Sequence, residues 1–127
     1  MGESGERGRK AEDIALGFLE DRGLILLDRN WRAGHKELDL IMSSRNSATG
    51  EERLHIVEVR SLSVPNLQMP FETIGYRKRK NLINAAAAYI YKNRIKVETQ
   101  FDVVSVLFYD KRSIKVDYFP NAFTPQW

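Results

Sequence analysis

The sequence predicts an α/β domain: a mixed sheet of about five strands flanked by helices, in the order α-β-β-β-α-β-β. Three observations carry this. A stripe of helical period opens the chain. Short alternating runs rich in β-formers follow as hairpins. A second, longer helical pattern then separates the third run from the last two. A helix between strands makes a crossover, so the fourth strand can lie parallel to an earlier one.

The first ten residues, MGESGERGRK, are Gly-rich and charged and read as a loose, flexible arm (1–10), with a single domain over 11–127. Ala11, Ile14, Ala15, Phe18 and Leu19 then recur at i, i+3, i+4, i+7 and i+8, the stripe of an amphipathic helix. Gly23 is its stop, because glycine tolerates the left-handed cap. Leu24–Leu27 is a short apolar strand and Asn30–Gly34 a turn. Glu37–Met42 is a second strand, with Leu38, Leu40 and Met42 on one face and Glu37, Asp39 and Ile41 on the other. Ser43–Glu52 is a polar hairpin loop. Leu54–Arg60 is a third strand, with Leu54, Ile56, Glu58 and Arg60 on one face and His55, Val57 and Val59 on the other. Ser61–Pro70, with two prolines, is a connection. A long helix runs from Phe71 or Thr73 to Asn93, packing Leu82, Ile83, Ala86, Ala87 and Ile90 inward. Phe101–Phe108 and Ser113–Phe119 are the last two strands.

Composition narrows the chemistry. The chain has 127 residues, 43% hydrophobic and 29% charged, which is ordinary for a globular domain. It has no cysteine, which excludes disulfides, thiolate metal sites and cysteine nucleophiles and fits a reducing compartment. Its two histidines, His35 and His55, are too few for a poly-histidine metal centre. The longest apolar run, Ala85–Tyr91, is seven residues, against the ~20 a spanning helix needs. The start has no apolar core of a secretory signal. These features predict a cytoplasmic protein without a membrane partner. There is no phosphate-binding glycine loop and no nucleophile elbow.

The net charge is +3, and its distribution matters more than its sum. Tyr76–Lys96 holds seven basic residues (Arg77, Lys78, Arg79, Lys80, Lys92, Arg94, Lys96) and no acid. Such a cluster suits a polyanion, and equally a solvated helix end.

Two acids stand inside apolar strands: Asp39 between Leu38 and Leu40, and Glu58 between Val57 and Val59. A buried lone carboxylate costs several kcal/mol unless it is paired or bound to a cation. If the second and third strands form a hairpin, Asp39 and Glu58 face each other roughly 5 Å apart. A cation between them would relieve the repulsion, and oxygen ligands that keep some waters suit Mg²⁺ or Mn²⁺. The plainer alternative is ordinary ion pairing, Glu58 with Arg60 or Asp39 with Arg32. Glu12, at the rim of the first helix's apolar stripe, can reach over the sheet end toward the same place, or pair with Arg9. His35 stands just before the Asp39 strand, while His55 faces away from Glu58 and reads as a packed histidine.

In order along the chain, GRKAEDIA (Gly8–Ala15), NWRAGHKELDLI (Asn30–Ile41), VEVR (Val57–Arg60), Lys78 with Leu82 and Ala86, FDVVSV (Phe101–Val106) and NAF (Asn121–Phe123) form a specific set. Through them the chain resembles the UPF0102 (YraN-type) family. That family is grouped with the restriction-endonuclease-like, PD-(D/E)xK nuclease fold, near the archaeal Holliday-junction resolvases. The resemblance implies a metal-dependent endonuclease that hydrolyses phosphodiesters in structured or branched DNA. Asp39 and Glu58 would ligate Mg²⁺ (or Mn²⁺) with the backbone carbonyl of Val59, Glu12 would be an accessory acid, and Glu37 a lesser candidate. A homodimer would match the symmetry of a junction.

The motif's last position, usually lysine, is Arg60. Arginine does not give up its proton, although its planar fork can hold water or phosphate. The resemblance therefore implies catalytic residues Glu12, Asp39, Glu58 and Arg60, with Arg60 unable to act as a base. Nucleic-acid contacts fall to Arg32, Arg77, Lys78 and Lys80, with Lys10 as a further candidate. Trp31, Tyr76 and Tyr89 are the aromatics available for stacking, although Tyr89 suits the core and Trp31 a sheet edge. Two rival readings stay open: a nucleic-acid-binding module that keeps the fold without the chemistry, and a protein-interaction module whose acids serve only as ion pairs.

Overall fold

In the computed structural model, residues 2–63, 74–110, 112–125 and 127 are described. Helix α1 spans Gly2–Asp21, strands β1 Ile25–Ala33, β2 Lys36–Arg45 and β3 Glu52–Ser63 follow, and α2 spans Tyr76–Asn93 before β4 Glu98–Phe108 and β5 Ile114–Phe123. The five strands form one sheet in the order β1-β2-β3-β4-β5. β3 and β4 are parallel and the other neighbours antiparallel, so α2 lies on the predicted crossover. The sheet is mixed and both faces are covered, as the sequence predicts.

Each helix seals one face. α1 packs Ala11, Ala15 and Leu19 on Leu40, Met42, Val57, Val104 and Val106. α2 packs Leu82, Ala85, Ala86 and Tyr89 on Leu38, Ile41, Leu54, Ile56, Phe101 and Val103. Each fully buried branched side chain contributes about 1.5–3 kcal/mol, so these two stripes set the register of the helices on the sheet. Neither helix is long and apolar enough to cross a membrane.

α1 ends as predicted. Gly23 takes φ +92°, its N–H reaches Glu20 O at 2.9 Å, and the Leu24 N–H reaches Leu19 O at 3.1 Å. That bond pair is a Schellman cap. The start differs: residues 2–10, expected as a loose arm, continue α1. No apolar stripe marks them. Gly5 and Gly8 are poor helix formers there, and Glu6, Arg7, Arg9 and Lys10, with the Glu6–Lys10 spacing, support the backbone instead.

The turn expected at Asn30–Gly34 shrinks to Gly34-His35, with Gly34 at φ +64°, a two-residue reversal that suits a β-hairpin. Asn30 instead sits inside β1 at φ +53°. The polar loop between β2 and β3 shrinks likewise to residues 46–51. The connection read over Ser61–Pro70 loses Ser61–Ser63 to β3, and residues 64–73, with the Phe71 and Thr73 helix starts, lie outside the described residues. α2 begins at Tyr76 after an extended Gly75.

Ala87, expected to pack inward on α2, is exposed, and Ala85 and Tyr89 are buried instead. One predicted strand face is also wrong. Leu40 and Met42 pack on the α1 side and Ile41 on the α2 side, but Leu38 joins the α2 side. The β2–β3 ladder runs from Arg45↔Glu52 to Leu40↔Val57. Past it β2 pairs with β1 alone, and a two-stranded ribbon twists more strongly than a sheet interior. Strict alternation therefore fails at Asp39, which ends up between the two faces.

Candidate functional site

Asp39 is half-buried at that end of the ladder, and its Oδ2 accepts the Val59 N–H at 2.9 Å. Being between faces, it meets groups from both helices. From the α1 side comes Glu12. Carboxylate oxygens of Glu12, Glu37 and Asp39 all lie within 4.8 Å of one another. On the α2 side stand Glu58 and Lys78, both near enough to shift its charge.

Glu58 is 4% exposed. Its Oε2 faces two cations, Lys78 Nζ at 3.4 Å and Arg60 Nη1 at 3.6 Å. Its Oε1 is buried with no hydrogen-bond partner among the described residues. The predicted sharing of a face by Glu58 and Arg60 thus holds, and so does their ion pair. The predicted alternative partners of the other acids change. Arg32 pairs with Glu37 at 2.8 Å, not with Asp39, and Glu12 pairs with Arg29 at 3.4 Å, not with Arg9.

The electrostatics follow from this crowding. Asp39 is pushed up to about 8, first by burial and then by the Glu58 charge, while the Val59 N–H and Lys78 pull the other way. Glu12 is also raised, by burial first and Asp39 second, with Asn30 and Arg29 opposing. Four carboxylates (Glu12, Glu37, Asp39, Glu58) thus gather with four cations: Arg29 on Glu12, Arg32 on Glu37, and both Arg60 and Lys78 on Glu58 Oε2, while no ion pair to Asp39 is present among the described residues.

A cleft of about 280 Å³ opens beside Asp39, lined by His35, Lys36, Glu37, Lys78 and Asn81. Lys78, grouped in the sequence with the outward basic cluster, turns into the site. Arg77, Arg79 and Lys80 are exposed on α2 around it. Lys10 lies away from the acids, its Nζ 5.8 Å from the Phe108 ring centre. Tyr89 is buried, donates to Asp28 at 3.1 Å and meets Trp31 edge to face, so neither ring is free to stack. Tyr76 is 75% exposed.

A polar network on the other side of the sheet went unread in the sequence. His55 is buried, with Nδ1 2.7 Å from Asp102 Oδ2 and Nε2 2.7 Å from Ser44 Oγ. Asp102 also accepts from Tyr118 Oη, Gln100 Nε2 and the Asn121 N–H. Burial opposes its charge, but these donors, His55 first, outweigh it and hold the carboxyl below its ordinary range. Asp102 sits inside the apolar run Phe101–Val106, so it carried the same signal as Asp39 and Glu58. It differs from them in being fully partnered. Its bond to Asn121, at φ +51°, holds the irregular pairing of β5 on β4.

Residues 11–106 match the family described as "Uncharacterised protein family UPF0102". A UPF0102 protein of Bacteroides thetaiotaomicron is 34% identical over 125 residues, 98% of each chain. One of Legionella pneumophila is 37% identical over 120 residues, 93% of this chain and 94% of the relative. One of Clostridioides difficile is 33% identical over 119 residues, 93% and 96%. The matched span carries Glu12, Asp39, Glu58, Arg60 and Lys78, and this chain belongs to the UPF0102 family.

Proposed function

We propose that this protein is a divalent-metal-dependent phosphodiesterase of the restriction-endonuclease-like kind, acting on structured or branched DNA. The observation that supports it most is the Glu58 Oε1 atom, buried and unpartnered among the described residues, beside an Asp39 that burial and then the Glu58 charge push toward the protonated form. A buried carboxylate oxygen without a donor is costly. The oxygen-only cluster beside it, Asp39 with Glu12 and Glu37, suits a hard cation, Mg²⁺ or Mn²⁺. Asp39 and Glu58, with the Val59 carbonyl, would hold it, and Glu12 and Glu37 would stand by. Bound there, the ion would polarise the scissile phosphate and lower the pKa of a bound water.

The chain's own residues divide the remaining tasks. Lys78 and Arg60 would neutralise charge that grows on the phosphate oxygens during displacement. Arg60 holds but does not transfer a proton. Arg77, Lys80 and Arg32 would bind backbone phosphates, which gives affinity without sequence choice. A homodimer would suit the two-fold symmetry of a junction.

One observation favours a second reading, a nucleic-acid binder without cleavage: Arg60 and Lys78 already neutralise Glu58 Oε2. A cleavage assay separates the two. End-labelled four-way junction, flap and plain duplex are incubated in Mg²⁺ and in Mn²⁺ with wild type, Asp39→Asn and Glu58→Gln. The expected result is cleavage of a branched substrate that falls at least about 100-fold in both variants. Equal cleavage by all three would place the activity elsewhere, and binding without cleavage would establish the binder.

A further inference from the structure

At the far end of α2 a cavity of about 830 Å³ is lined by Tyr91, Lys92, Arg94, Lys96 and Trp127, with Glu98 among the wall residues. Tyr91 is 89% exposed and Trp127 66%. No ion pair to Lys92, Arg94 or Lys96 is present among the described residues. Three cations without an ion pair among the described residues therefore surround two exposed aromatic rings, Trp127 leaning on Phe101 at 6.0 Å between ring centres, and Glu98 is the one acidic side chain of the wall. A surface built for a protein partner would be depleted of lysine at its centre. Rings interleaved with cations are what a single strand needs: stacking for the bases and charge for the phosphates.

We propose that this cavity binds a single-stranded nucleic-acid segment. Resting on the function proposed above, that segment is the unpaired arm of the substrate. The distance fits. Glu58 pairs with Val103, and Glu98 at the cavity wall lies five residues earlier on the same strand. At ~3.3 Å per residue that is about 17 Å, roughly five nucleotide steps at 3.4 Å each. The cavity is walled partly by α2, and Glu58 meets Lys78 from that same helix, so a strand can run from one to the other without crossing the sheet.

The test is direct binding of 5′-fluorescein-labelled (dT)15 by anisotropy at 50 to 200 mM salt, without added metal. Tyr91→Ala should weaken binding about tenfold. The triple variant Lys92→Ala, Arg94→Ala, Lys96→Ala should flatten the log–log salt dependence by about 2, from ~0.7 per lost phosphate contact. Unchanged binding in the Tyr91 and triple variants, or no binding by wild type, overturns the proposal. A wild-type dimer in light scattering that Tyr91→Ala dissolves also overturns it, in favour of a second copy of the chain. The two proposals fail separately. Cleavage of branched DNA without (dT)15 binding would sink the cavity alone. Binding of (dT)15 through Tyr91 without any cleavage would sink only the phosphodiesterase.

Discussion

The Asp39 carboxylate accepts the backbone N–H of Val59 at 2.9 Å, just past the last β2–β3 pair, Leu40↔Val57. A side chain thereby replaces the strand's own carbonyl as acceptor. This fixes the carboxylate at the meeting point of both faces, where Glu58 repels it.

Asp39→Asn should therefore stabilise the protein. Asparagine keeps an acceptor for Val59 and removes the repulsion. The sign follows from a folded pKa of about 8 against 3.8. Protonated Asp39 favours the folded state fully below pH 3.8, and that contribution is lost as pH rises through 8. The variant's advantage should be small at pH 4 and reach about 1 kcal/mol at pH 8, read as Tm across that range. A variant less stable than wild type at pH 8 would contradict it.

Divalent ions should act on the same strain. At ten times its Kd, Mg²⁺ would stabilise the fold by about 1.4 kcal/mol, or roughly 5 °C in Tm for a domain of this size. Differential scanning fluorimetry with Mg²⁺, Mn²⁺ and matched ionic strength of NaCl measures it. Glu58→Gln should abolish the shift. An equal shift in that variant would remove Glu58 from the ion's ligands.

Lys78 and its neighbours should separate in kinetics. Lys78→Ala should lower turnover about 100-fold, because its ammonium lies 3.4 Å from Glu58. Lys80→Ala should leave turnover alone, weaken DNA binding and lower the salt slope by about 1. If the two variants behave alike, Lys78 is only another phosphate contact.

Asp102 should be structural. Asp102→Ala strands His55, Tyr118 and the Asn121 N–H, and should cost about 3 kcal/mol or more. Its lowered pKa gives the opposite pH sign to Asp39. Its stabilisation is present above pH 3.8 and disappears as pH falls through the still lower folded value. Thermal unfolding between pH 3 and 7 should show wild type converging on the variant only at the acid end.

Much of this was legible in the chain. The α1 stripe and Gly23 are local signals, and local hydrogen bonds realise them. Asp39 and Glu58 stood out because acids do not belong in apolar strands. What stayed hidden depends on partners remote in sequence. His55 and Asp102 are 47 residues apart, so no spacing rule joins them. Leu38 changes face because the β2–β3 ladder stops, and a stop in pairing leaves no mark on alternation. Helical residues 2–10 lack apolar periodicity altogether. Lys78 looked like its basic neighbours until the docking of α2 gave it one particular carboxylate.

The parallel β3–β4 pair has a consequence for assembly. Every other neighbouring pair of strands is joined by a short reversal, and such hairpins close in microseconds. The β3–β4 pair must wait for the whole crossover, the slow step where distant contacts dominate. Asp39, Glu58 and Arg60 are thus brought together by the early hairpins, and Lys78 is delivered only by the late docking of α2. The acids of β2 and β3 assemble before the second cation of Glu58 arrives, so the sheet's final closure is also the moment at which the site becomes whole.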